Sequence, residues 1–239
     1  MSAGILREEP YVGPSQIVLW DIDHTLIDTR GVGRELSAMA FERVTGRPME
    51  RQAAIDGITE AVIFRETAKL HGLRTDRRDF ERFAHALAEA HVLRVAELRE
   101  RGHALPGAAA ALDAVASLPG TEQTVVSGNV RAVAEVKLRT FGLDRHIRWE
   151  CGGYGEDADD RPALVRLALE RSGVTAADAV LLDDTAAGVR AGVVNGVRVI
   201  AVATGRSNEA ALRGAGAGAV LPDLVDTDLL LKHVTDGKG

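Results

Sequence analysis

Two carboxylates one residue apart, Asp21 and Asp23, end an apolar run, Ile17-Val18-Leu19-Trp20. In a strand, alternate side chains share a face, so the pair would point the same way at the strand's C-terminal end. Like charges held that close repel, and at least one needs a proton or a cationic partner. A strand-end carboxylate can attack phosphorus and form an acyl phosphate. A second acid two residues on can protonate the leaving oxygen and later accept a proton from water. Without that chemistry the two would be a polar strand end and a helix cap.

Two further stretches have the same form. Val125-Val126-Ser127-Gly128-Asn129 is an apolar run ending in a hydroxyl, with glycine at a helix start. Its Ser oxygen and free backbone N–H groups can bind a phosphoryl oxygen; the alternative is an ordinary turn capped by Ser127 and Asn129. Val180-Leu181-Leu182-Asp183-Asp184-Thr185 ends another run in two acids. With Asp21 they could gather oxygen ligands for a hard cation, Mg²⁺ foremost, or simply cap the next helix. Brought to one rim, the three ends would place a phosphoryl group between metal, Ser127 and Asp21. Such positioning and charge neutralisation supply most of the catalysis in phosphoryl transfer.

Convergence requires a parallel sheet. Besides the first run, Gln123 to Ser127, Ile147 to Cys151, Ala179 to Asp183 and Arg198 to Ala203 read as buried strands, with a weaker one at Ala219 to Leu221. Helical patterns separate them: Ala108 to Ser117, Val130 to Phe141, Ala163 to Ser172 and Ala186 to Asn195. Gly142, Gly173 and Gly196 follow three of these, where a left-handed cap is expected. The alternation predicts an α/β fold: a doubly wound, Rossmann-like parallel sheet. From about Gly33 to Gly102 there are only helical patterns: Arg34 to Thr45, Thr59 to His71 and a long Asp76 to Arg101. These are read as an inserted all-helical cap domain, 33–102, interrupting a core of 1–32 and 103–239. Set just behind the paired acids, it could close over the site; extra helices packed on the sheet are the alternative. Residues 1–15 read as a tail.

Bulk properties narrow the function classes. Apolar residues make up 46% and aromatics 4% of 239 residues, which implies a large core built on Ala, Val and Leu. A net charge of −6 argues against nucleic acid or an anionic membrane as a general partner. No apolar run approaches the ~20 residues of a membrane span. MSAGILREEP lacks the apolar stretch of a secretory signal, and the lone Cys151 excludes an internal disulfide. The expectation is a cytoplasmic protein, monomer or homodimer, acting on a small phosphorylated metabolite.

DIDHTLIDT, VVSGN and LLDDTAAGVRAGVVNGVRVIAVATG resemble, in order and over nearly the whole chain, the motifs of the haloacid dehalogenase superfamily, in its phosphoglycolate-phosphatase-like branch with a helical cap. The resemblance implies Asp21 as nucleophile and Mg²⁺ ligand. It implies Asp23 as acid/base, with its backbone carbonyl on the metal, and Ser127, with Gly128 and Asn129 beside it, at the phosphoryl group. Asp184, and Asp183 beside it, would hold the metal, and Thr25 would support the first loop. Dehalogenating members lack the second acid, so Asp23 argues for phosphate chemistry. A phosphosugar mutase, or a binding module that lost turnover, are the other readings.

Four positions depart from the pattern. His24 stands where glycine is usual, as a turn residue or a substrate contact. Gly188 replaces the acid four residues after Asp184, while Asp183 occupies a common glycine position, as if the carboxylate had moved. The family's Lys-Pro is Arg161-Pro162 here, so Arg161 is the first candidate for the phosphate-neutralising cation. Lys137, about two turns down its helix, is the second and lies further from the rim. In the cap, Gly57-Ile58-Thr59-Glu60 resembles a Gly-Arg-Thr-Asp loop; Thr59 would touch substrate or cap a helix, and Ile58 removes an anion contact. Arg34, Arg65, His71, His85, His91 and His103 read as surface residues, Cys151 as packing, and Gly205-Arg206 as loop.

Overall fold

Ile17, Val18, Leu19 and Trp20 are all fully buried, as a strand covered on both faces requires. The computed structural model describes residues 14–54 and 57–236; most of the expected tail, 1–13, lies outside them. In chain order the elements are β1 (Gln16–Trp20), β2 (Ile27–Asp28), α1 (Val32–Thr45), α2 (Glu60–Leu70), α3 (Arg77–Leu93), α4 (Val95–Arg101), β3 (His103–Ala104), α5 (Ala108–Ala116) and β4 (Thr121–Val125). Then follow α6 (Arg131–Thr140), α7 (Arg161–Ser172), β5 (Ala179–Asp183), α8 (Ala186–Val194), β6 (Arg198–Val202), α9 (Glu209–Gly214), β7 (Ala219–Leu221) and α10 (Thr227–Thr235).

Five strands form one parallel sheet in the order β4-β1-β5-β6-β7, the expected α/β architecture with a helical insertion. Alternate side chains divide between two cores. Val18, Trp20, Val180, Leu182, Ile200 and Val202 face α5, α6 and α10. Ile17, Leu19, Ala179, Leu181, Val199 and Ala201 face α7, α8 and α9. Gly142, Gly173 and Gly196 take φ of 69°, 71° and 72°, as their positions after helices predict.

The insertion has its own core, and it is aromatic. Phe41, Phe64, Phe80 and Phe83 are buried there and the chain's fifth phenylalanine, Phe141, packs against them, with the Phe64 and Phe83 rings stacked at 4.6 Å. Val130 and Val133 of the α6 segment join that cluster, so the insertion rests on the sheet domain rather than standing clear of it.

Two expectations need correction, and one pairing was not foreseen. Ile147 to Cys151 is not a strand. Its chain touches β4 at two isolated bridges, Gln123 to Ile147 and Val126 to Gly153. Three steps along β4 face six along its neighbour, and the surplus coils into a 3₁₀ turn at Trp149–Cys151. The long helix over Asp76 to Arg101 is broken at Arg94, whose φ of −109° and ψ of 22° leave the helical region between α3 and α4. Finally, β2 and β3 pair antiparallel, Ile27 with Ala104 and Asp28 with His103. Two residues each are too short to show a period, so they carry no sequence signal. They tie together the points where the chain enters and leaves the helices.

Candidate active site

Parallel register delivers the three strand ends to one rim. Trp20 lies opposite Leu182, and the Asp21 N–H donates to the Leu182 carbonyl at 2.9 Å, so Asp21 stands beside Asp183. On the other side Trp20 lies opposite Val125. The Val126 N–H donates to the Trp20 carbonyl at 2.9 Å, and Ser127 follows.

Asp21, Asp183 and Asp184 are buried and each offers an oxygen within 4.8 Å of the others. Arg161 opens α7, which Asp160 caps by accepting from the Ala163 N–H at 2.8 Å. The buried Arg161 guanidinium lies 2.9 Å from Asp21 Oδ1 and also donates to Asp183. The second Asp183 oxygen accepts from the Thr185 N–H and hydroxyl at 2.8 and 2.7 Å. Thr25 Oγ1 lies 3.2 Å from Asp184 and 3.4 Å from Asp21. One guanidinium does not neutralise three acids. Burial, then repulsion from Asp183, pushes Asp21 up to about 7 against the pull of Arg161. Burial, then Asp21 and Asp183, pushes Asp184 up to about 9. An all-oxygen, electron-rich donor set fits a hard divalent cation. Oxygens all within 4.8 Å of one another are close enough for a single such ion to meet all three.

Two glycines make room for these acids. A Cβ at Gly188 would overlap the Asp183 carboxylate, and one at Gly205 would overlap that of Asp184.

Asp23 faces a separate set. Lys137 Nζ lies 2.8 Å from both Asp23 oxygens and 2.7 Å from Asn129 Oδ1. Asn129 Nδ2 donates to Asp23 at 2.6 Å and to Ser127 Oγ at 2.8 Å. Burial raises the Asp23 proton affinity, but the Lys137 charge and the Asn129 and Lys137 hydrogen bonds outweigh it and hold the carboxyl below its ordinary range. Lys137 is therefore not too far down α6. Helical side chains lean toward the N-terminus, and α6 begins at the rim, so the buried Lys137 reaches back to it.

A cavity of about 190 Å³ joins these groups. Asp21, Asp23, His24, Ser127, Gly128, Asn129, Lys137, Arg161 and Asp184 border it, whereas Thr25, Thr59 and Asp183 stand behind its wall. His24 takes a left-handed φ of 64°, the conformation glycine adopts freely, and its carbonyl accepts from Thr204. Thr59 Oγ1 donates to the Asp159 carbonyl at 3.2 Å, and the Glu60 N–H donates to the Gly128 carbonyl at 2.8 Å, so the start of α2 is bonded to the sheet domain. Arg34, Ile58, Glu60 and His91 come from the insertion, and Arg206 and Ser207 from the loop after β6. His91 is buried, not a surface residue: it lies on the face of α3 turned toward the site. Glu60 stands at the acid of the Gly-Arg-Thr-Asp-like loop, which marks the loop but not the role, since an acid in a first helical turn is commonplace.

A family model described as haloacid dehalogenase-like hydrolase matches residues 16–196. Solved structures share the fold. A hydrolase from Pseudomonas syringae is 18% identical with a TM-score of 0.64, over 92% of this chain and 99% of its own. A HAD family hydrolase from Deinococcus radiodurans, with bound phosphate and sodium, is 22% identical with a TM-score of 0.54, over 93% and 97%. A predicted phosphoglycolate phosphatase from Haemophilus somnus is 15% identical with a TM-score of 0.61, over 90% and 97%. No curated protein matches this sequence.

Proposed function

The chain belongs to the haloacid dehalogenase-like hydrolase family, and from that premise we propose that it is a Mg²⁺-dependent phosphatase of a small phosphomonoester. The carrying observation is the division of the rim. Asp21 sits among acids and Arg161, while Asp23 sits with Lys137, Asn129 and, through Asn129, Ser127. That is the arrangement of a nucleophile on one side of a phosphoryl group and an acid/base on the other. The phosphate bound by the Deinococcus hydrolase of the same fold supports the reading.

In this mechanism an Asp21 oxygen attacks phosphorus and the bond to the leaving oxygen breaks. Asp23 gives that oxygen its proton. Water then attacks the aspartyl phosphate, Asp23 takes the proton, and Asp21 and inorganic phosphate are regenerated. Asp23 is held ionised at rest by Lys137; an arriving phosphate competes for that ammonium and lets Asp23 gain its proton. Ser127 and Lys137 orient the phosphoryl oxygens, and Arg161 steadies the Asp21 carboxylate. Mg²⁺, held by Asp21, Asp184 and the Asp23 carbonyl with Asp183 close by, would neutralise charge on the phosphoryl oxygens. Residues 33–102 serve as the cap domain over this centre.

The test is phosphate release from p-nitrophenyl phosphate with and without Mg²⁺. Asp21→Asn is expected to lower kcat by about 10³-fold or more. Undiminished turnover in that variant would end the proposal. Isomerisation of a sugar phosphate without net phosphate release would replace water by a sugar hydroxyl as acceptor.

A further inference from the structure

Among the described residues, the buried side-chain polar atoms without a hydrogen-bond partner are Glu60 Oε2 and His91 Nε2. Both residues border the same cavity, both come from the helical insertion, and the charges of Lys137 and Asp23 reach both. An unsatisfied buried polar atom costs stability, and two on residues that border one cavity point to a ligand that satisfies them. Resting on the phosphatase reading above, we propose that Glu60 and His91 form the leaving-group subsite and select phosphomonoesters whose alcohol carries further hydroxyl groups over those whose alcohol carries a carboxylate.

The chemistry of the two atoms sets the preference. His91 Nδ1 lies 2.9 Å from the Leu87 carbonyl. A carbonyl only accepts, so Nδ1 carries the proton and Nε2 keeps a lone pair that no protein donor meets. Burial, aided by the Lys137 charge, pushes the imidazole down to about 4 and keeps it neutral near pH 7. Burial pushes Glu60 up to about 7, so near neutrality its carboxyl both accepts and donates. A hydroxyl can do the same and satisfies either state. A carboxylate brings only lone pairs and negative charge to a wall that already holds both. Ser37 and Gln52 also border the cavity and extend its capacity for hydroxyls. About 190 Å³ is below the ~300–1,000 Å³ of sites for drug-sized ligands, which suits a small polyol or sugar. Arg34 and Arg206 border the cavity too; they are the groups a carboxylated leaving group would use instead.

The experiment compares kcat/KM for glycerol 3-phosphate, ribose 5-phosphate, phosphoglycolate and p-nitrophenyl phosphate in the native protein, Glu60→Ala and His91→Leu. The native enzyme is expected to prefer the two hydroxylated substrates. Each variant is expected to lose about 10- to 100-fold on these, with less than about threefold change on p-nitrophenyl phosphate. The melting temperature of Glu60→Ala should hold or rise, because the deleted Oε2 has no protein partner, whereas His91→Leu also gives up the Nδ1 bond to the Leu87 carbonyl. Equal losses on all substrates, or native preference for phosphoglycolate, overturn the subsite. Glu60→Ala decides alone if His91→Leu does not fold. A native enzyme that hydrolyses p-nitrophenyl phosphate while the variants keep their selectivity overturns the subsite only. A native enzyme inert to all four overturns the phosphatase reading and the subsite with it.

Discussion

Asp183 fills the space that a side chain at position 188 would take. The two positions are therefore coupled, and we propose that Asp183 stands in for the acid the family pattern carries at position 188. Asp183→Gly is expected to weaken Mg²⁺ binding about tenfold, and Gly188→Asp to destabilise the protein by about 2 kcal/mol through overlap and like charge. The double variant should recover both, with a coupling of about 1–3 kcal/mol. Calorimetric Mg²⁺ titration and thermal melts give the readout; a double variant that binds no better than Asp183→Gly refutes the exchange. The sequence pattern already shows an acid gained and an acid lost, but not that they share one space. In the same way it sets Arg161 and Lys137 against each other as candidates. The structure gives each its own acids, Arg161 beside Asp21 and Asp183, Lys137 beside Asp23.

The strands that carry the acids are legible because each is an apolar run ended by polar residues. The run over Ile147 to Cys151 misleads because hydrophobic content reports burial, not pairing; Cys151 is buried in a turn. The break at Arg94 is likewise silent, since the apolar period continues through it. The first turn of α2 has a role only its contacts reveal. Thr59 reads as a cap or a substrate contact, yet its hydroxyl bonds the Asp159 carbonyl and fastens the insertion to the loop before α7. Thr59→Val removes that bond, worth about 1 kcal/mol, and should raise KM for p-nitrophenyl phosphate about fivefold with kcat unchanged. A fall in kcat at constant KM would place the hydroxyl in the chemistry instead. The nearby Arg65–Asp159 pair at 2.9 Å is solvent-exposed and adds little.

Across the molecule, the site is a concentrated electrostatic cost. Asp21 and Asp184 have folded-state proton affinities above the ordinary carboxylate value, near 7 and 9. Such groups stabilise the fold fully below about pH 4 and lose that contribution as pH rises through the folded values. The metal-free melting temperature should therefore fall between about pH 4 and pH 9. Mg²⁺ at a hundred times its dissociation constant should add about 2.7 kcal/mol, or roughly 5–10 °C, most clearly at high pH. Asp184→Asn should raise the metal-free melting temperature at pH 8 by about 3 °C or more while abolishing the Mg²⁺ gain. A metal-free melting temperature that climbs with pH over that range would contradict this. No helix among the described residues is long and apolar enough to cross a membrane.

Strand-helix alternation, the acids closing β1 and β5 and the serine beyond β4 could all be read from the chain, because each depends on neighbours a few residues away. Parallel pairing with right-handed crossovers then leaves those ends no other place than a shared edge. The folded chain alone established which cation meets which carboxylate, that His91 is buried and that Glu60 Oε2 lacks a hydrogen-bond partner. Those are matters of distance and desolvation between segments tens of residues apart, set by how the helices lie against the sheet, and they leave no local pattern.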